Sequence, residues 1–136
     1  VGILKNGDGP TILYWTDMDA LPMEEKTNLE YSSNVEVPYQ GGTVGTMHSC
    51  GHDMHMTTWL GTARHMTRIK DLWAGTLMLI GQPAEEIGQG AKMMLDAGLY
   101  DTFGVPDYGM GLLSMMLWLL WVLSKVALSI ISFLMK

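Results

Sequence analysis

Two short apolar runs constrain this chain most. Thr11-Ile12-Leu13-Tyr14-Trp15-Thr16 and Thr76-Leu77-Met78-Leu79-Ile80 show no polar alternation and are rich in β-branched and aromatic residues. Runs of that kind read as strands buried on both faces, which is the habit of parallel sheets covered by helices. Asn6-Gly7-Asp8-Gly9-Pro10 forms a turn before the first run, and Gly81-Gln82-Pro83 closes the second. Between them Met56, Trp59, Leu60 and Ala63 recur at helical spacing, with Arg64 and Arg68 on other faces. This predicts an amphipathic helix over roughly residues 54–70 with Asp53 capping its start. A shorter helix over 90–97 ends at Gly98, a residue suited to the C′ position. Residues 22–47, with Pro22, Pro38 and Gly41-Gly42, read as one long polar connection. The expected fold is α/β, a largely parallel mixed sheet flanked by helices, with its sites at the carboxyl ends of the strands.

Composition divides the chain in two. All 14 acidic residues and all 16 glycines precede Leu112, whereas the last 25 residues carry no glycine, proline or acid. The expected organisation is therefore one small domain over residues 1–112 and a hydrophobic, helix-like tail over 113–136. A net charge of −6 argues against a nucleic-acid-binding surface. The single cysteine excludes a disulfide framework and suits a reducing, cytoplasmic compartment. The N-terminal residues do not read as a signal peptide.

Three segments carry chemistry, and the expected topology gathers them at one edge of the sheet. Asp17-Met18-Asp19 follows the first strand and Glu85-Glu86 the second, while His48-Ser49-Cys50-Gly51-His52-Asp53-Met54-His55 leads into the long helix. Cys50 and His52 are two apart, so an extended backbone would present both on one side, and Gly51 between them leaves room for a metal ion. Thiolate and imidazole are good zinc or manganese ligands, and a carboxylate completes such a set. Adjacent glutamates point apart, so one can bind metal while the other takes a proton from water. Asp19 can orient a ligand histidine as a carboxylate behind it. Each element also has a plainer reading: buried cysteine, solvated glutamates, Asp53 as a helix cap, and His55 and His65 as helix-face residues.

The strings Asp17-Met-Asp-Ala-Leu-Pro22, Met47-His-Ser-Cys-Gly-His-Asp-Met-His55 and Gly81-Gln-Pro-Ala-Glu-Glu86 resemble the amidohydrolase branch of the aminoacylase-type metallopeptidases. That branch includes hippurate hydrolases, N-acyl-amino-acid amidohydrolases and indole-acetyl-amino-acid hydrolases. The similarity extends to about residue 112 through Pro106-Asp107-Tyr108-Gly-Met-Gly-Leu112. The resemblance implies a partial zinc-peptidase-like catalytic domain holding two divalent metal ions, manganese or zinc. It implies that Cys50 bridges the metals, His52 and Glu86 are ligands, Glu85 is the general base, and Asp19 and Asp53 support them. The implied substrate is a small N-acyl amino acid, cleaved at its amide, and intact members are implied to be homo-oligomers. The family pattern Gly-Leu-His would put a ligand histidine at position 113, where the sequence has Leu113, and a further ligand beyond Lys136. The chain by itself is therefore expected to bind metal weakly and to be inactive.

The tail carries two rival readings. As a transmembrane helix, residues 112–135 are long enough to span, which would make the chain a catalytically dead, membrane-anchored or interaction protein. Against this, Lys125 near its centre costs about 2.5–3.5 kcal/mol. As the product of a shifted reading frame, Ser114-Met115-Met116-Leu117-Trp118 back-translates to triplets that read His, Asp and Ala or Val when the serine codon ends in cytosine. A histidine there is what the family pattern requires, and the frameshift is the preferred expectation.

Overall fold

The two apolar runs lie side by side in a computed structural model that describes residues 1–112. Strand β2 (Thr11–Asp17) pairs in parallel with β5 (Gly75–Gln82), from Thr11 opposite Thr76 to Asp17 opposite Gln82. Strand β1 (Gly2–Asn6) runs antiparallel along the far edge of β5, and β6 (Tyr108–Gly111) runs parallel along β2. The sheet order is β1-β5-β2-β6, so the sheet is mixed and mostly parallel, as expected. Both readings of the tail fall on residues 113–136, outside the described residues. Among the described residues no helix is long and apolar enough to cross a membrane.

Each face of the sheet carries its own core. Tyr14, Leu77 and Leu79 point to helix α1 (His52–Arg68), where Trp59, Ala63 and Met66 pack on them. The indole N–H of Trp59 donates to the Tyr14 carbonyl at 3.1 Å, fixing α1 against β2. Met78, Ile80 and Leu99 fill the opposite face under α2 (Gly90–Asp96) and α3 (Leu99–Phe103), with Leu13, Trp15, Met94 and Tyr100 around them. Met78 is 1% exposed, and burying such a side chain contributes roughly 1.5–3 kcal/mol. Helix α2 stops at Asp96, and Gly98 at C′ adopts the left-handed conformation expected of it (φ 77°).

Two expectations need correction, and one strand was not expected. Helix α1 begins at His52, two residues before the predicted start, and its N-cap is Gly51 in the left-handed region (φ 77°) with no side-chain cap. Asp53 therefore lies inside the first turn, exposed, where its charge complements the helix dipole without capping an amide. The segment 22–47 is not a featureless connection: β3 (Glu36–Tyr39) and β4 (Gly42–Gly45) form an antiparallel hairpin. Its turn residues Gln40 and Gly41 both have positive φ (48° and 82°), as a twist-matched two-residue turn requires. An isolated bridge between Leu21 and Met47 closes this excursion and returns the chain beside Asp19. Finally, β1 is a strand with no sequence expectation behind it. Its alternate residues are half-buried, and the Asn6 side-chain amide ties its end to the carbonyls of Lys70 (2.7 Å) and Trp73 (2.5 Å).

Candidate metal centre

Strand β2 ends in a buried polar pair: Thr16 is 0% and Asp17 2% exposed. Buried acids are unusual without a partner, and three elements converge on this one. His52, the first residue of α1, is 4% exposed. Glu85 follows β5 in the turn between Pro83 and α2. One donor atom each from Asp17, His52 and Glu85 lie within 4.8 Å of one another, an arrangement able to hold a cation.

The ring orientation of His52 follows from simple hydrogen-bond logic. Its Nδ1 lies 2.9 Å from the Asp19 carbonyl. A carbonyl only accepts, so Nδ1 carries the proton and donates. In the neutral ring Nε2 then presents a lone pair, and what it faces is the Glu85 carboxylate, 3.7 Å away. Two acceptors facing each other need a proton or a cation between them. The neighbouring groups repeat the message. Burial raises the pKa of Asp17, partly offset by the Trp15 indole N–H donating to it at 3.4 Å. Burial also raises that of Glu85, with Asp17 and Glu86 adding repulsion. Asp19 Oδ1 is buried with no hydrogen-bond partner among the described residues. Such a set of donors fits a divalent cation.

Cys50 sits in the turn before α1 and is exposed. The neighbouring Glu86 carboxylate, with desolvation behind it, pushes its pKa up to about 11. Cys50 and Glu86 thus form a second donor pair beside the first group, and it is Glu85, not Glu86, that stands with His52. The segment Ser49-Cys50-Gly51 is a tight turn, with the Gly51 amide donating to the His48 carbonyl at 3.0 Å, so the expected extended backbone is absent. The left-handed Gly51 instead turns His52 back toward Asp19.

Asp19 acts through both its main chain and its side chain. Its carbonyl accepts from His52 and also from His48 Nδ1 (3.1 Å), while its carboxylate Oδ2 accepts the Glu86 amide at 3.0 Å. The carboxylate's other oxygen is 3.6 Å from His52 Nδ1, so the backbone makes the shorter contact to the ring. Asp53 stays on the exposed side of α1 and is not among the three clustered donors. His55, one turn along α1, tilts against the His52 ring with centroids 5.9 Å apart, and burial lowers its pKa. Asp17 was not singled out as a site residue from sequence. Its signal was its place at the end of a strand whose centre, Ile12 to Trp15, is unbroken apolar sequence, where an acid is costly unless used.

Residues 13–117 match the sequence model of Peptidase family M20/M25/M40. The chain is 41% identical over 111 residues to N-acetylcysteine deacetylase of Bacillus subtilis, covering 76% of this chain and 27% of that protein. It is 46% identical over 106 residues to thermostable carboxypeptidase 1 of Saccharolobus solfataricus, covering 76% of this chain and 24% of that protein. It is 38% identical over 104 residues to IAA-amino acid hydrolase ILR1-like 5 of Arabidopsis thaliana, covering 76% and 22%. The crystal structure of the Bacillus subtilis YXEP protein, a dinuclear metal-binding peptidase of the M20 family, superposes with a TM-score of 0.69. That match has 39% identity over 83% of this chain and 29% of the other. The chain thus spans about a quarter of the length of the curated relatives it matches. With the family match running through the strands, the helix and the clustered donors alike, the chain belongs to Peptidase family M20/M25/M40.

Proposed function

We propose that this chain supplies the metal-binding and base-bearing part of an amidohydrolase that cleaves the amide bond of N-acyl amino acids. The observation that carries the reading is the lone pair of His52 Nε2 facing Glu85 across 3.7 Å, beside the buried Asp17. Cys50, His52 and Glu86 would hold two divalent ions, manganese or zinc, with Asp17 adding a further carboxylate. When bound, such ions supply Lewis acidity to the scissile carbonyl and to water. Glu85 then serves as general base: it takes a proton from the attacking water and returns one to the departing amine nitrogen. Its raised pKa suits that exchange, because a carboxylate poised closer to neutrality both accepts and releases a proton readily. Asp19 keeps His52 in the Nδ1-protonated tautomer and holds the Glu86 amide, so the two acids stay in register with the imidazole. The relatives named as deacetylases and amino acid hydrolases support a small acylated substrate.

The test places residues 1–112 in the matching segment of the Bacillus subtilis N-acetylcysteine deacetylase, which supplies the remaining length. The chimaera should release acetate from N-acetylcysteine, lose activity in chelator and regain it with manganese. Glu85→Gln in that chimaera should lower kcat by roughly 10²–10⁴ while retaining metal. A folded, metal-loaded chimaera that is inactive, or one that keeps full turnover with Glu85→Gln, would overturn the assignment.

A further inference from the structure

Three residues other than glycine have positive φ among the described residues: Asn28, Gln40 and Ala84. Asparagine tolerates this region, and Gln40 shares a hairpin turn with Gly41. Ala84 (φ 53°) has neither reason, since its Cβ crowds the neighbouring carbonyl there. Such a residue persists only where its surroundings over-determine it, and here they do. The Ala84 carbonyl accepts two amides, those of Gln89 and Gly90, both at 3.1 Å. The Glu85 carbonyl accepts the Gly88 amide at 2.8 Å, and Glu86 N–H is held by Asp19 Oδ2 at 3.0 Å. Gly90 completes the lock, because any side chain there would collide with the Pro83 carbonyl.

We propose that Ala84 is a positioning residue whose left-handed backbone aims the two acids that follow it, Glu85 at His52 Nε2 and the Glu86 amide at Asp19. An extended residue at this point would carry the chain on along β5 and swing the 85–88 turn away from α1. The inference rests on reading Glu85 as the working acid of the proposed amidohydrolase, but the geometry it predicts exists without metal.

The test uses the full chain, isotope-labelled in mild detergent, with Ala84→Gly, Ala84→Asn and Ala84→Val. Glycine and asparagine accept positive φ, whereas β-branched valine resists it. In chelator, the wild-type, Gly and Asn chains should show a proton contact between the Glu85 side chain and the His52 ring, together with slow exchange of the Gln89 and Gly90 amides. The Val chain should lose both, and its manganese affinity by calorimetry should fall at least about tenfold, with Gly and Asn within about threefold of wild type. The same contact and affinity in the Val chain would overturn the proposal. So would loss of both in Gly and Asn, because packing of the methyl group and not backbone conformation would then be responsible; these two chains decide the matter by themselves where valine prevents folding. A wild-type chain that binds no manganese, while the His52 contact still follows residue 84, would refute the proposed function and leave this inference standing.

Discussion

Replacing Glu85 by glutamine should stabilise the metal-free chain, although it removes the proposed general base. With the His52 ring neutral, the wild-type arrangement sets a carboxylate against the Nε2 lone pair at 3.7 Å and within 4.8 Å of the Asp17 donor atom. Two like charges at that distance repel by roughly 1 kcal/mol in water and about 3–4 kcal/mol at the effective dielectric of a protein site. The Glu85 side chain is 38% exposed, so the lower end applies. Glutamine is isosteric, carries no charge, and can turn an amide N–H toward Nε2. A neutral hydrogen bond of that kind contributes about 0.5–1.5 kcal/mol. The two effects together amount to about 1–2 kcal/mol, which for a domain of this size is a rise in Tm of roughly 5–10 °C. Thermal unfolding by circular dichroism in chelator near neutral pH measures it directly. With manganese added the wild type should recover the difference, since binding to the folded state stabilises it by mass action. A Glu85→Gln chain melting at or below the wild-type temperature in chelator would mean that Glu85 and His52 are not held as opposed acceptors. The metal-binding interpretation of the pair would fall with it.

Two further outcomes separate main-chain from side-chain roles. Asp19→Ala should leave His52 protonated at Nδ1, because the ring donates to a carbonyl that alanine retains, while Glu86 amide exchange accelerates by roughly tenfold for each 1.4 kcal/mol of lost hydrogen bonding; ¹⁵N shifts of the imidazole showing the opposite tautomer would contradict this. Glu25 accepts the Thr27 hydroxyl at 2.6 Å and the Ser33 amide at 2.9 Å, and these bonds lower its pKa. A lowered folded-state pKa contributes stability above the ordinary glutamate value that disappears as pH falls through the folded one, so the Ser33 protection factor should be constant near neutrality and collapse only on acidification below the ordinary glutamate range. Protection that persists in acid would show that the loop does not depend on this carboxylate.

What was legible in the sequence and what was not divide along a physical line. Strands β2 and β5 were readable because both faces are covered, so their central positions, Ile12 to Trp15 and Leu77 to Ile80, form unbroken apolar runs. Strand β1 and the β3–β4 hairpin pack on one side at most, and Pro38 within β3 masks the pattern further. The metal-capable residue types were readable as strings, since His52, Glu85, Glu86 and Cys50 advertise their chemistry. Asp17 was obscured by its neighbour Asp19, which has the same side chain and differs only in burial, a property that depends on where β2 ends. The extended backbone inferred for Cys50-Gly51-His52 failed because a two-residue spacing says nothing of φ, and Gly51 makes the turn left-handed. The sharpest loss concerns positioning. His52 is oriented by a carbonyl, Gly51 supplies a backbone turn, and Ala84 contributes a dihedral angle. Every residue type owns a carbonyl, and alanine has no functional group to notice. Motif reading therefore recovers the candidate site groups while missing the main-chain geometry that makes them converge. In this fold that geometry decides whether two adjacent glutamates are a solvated surface pair or two differently directed parts of one site.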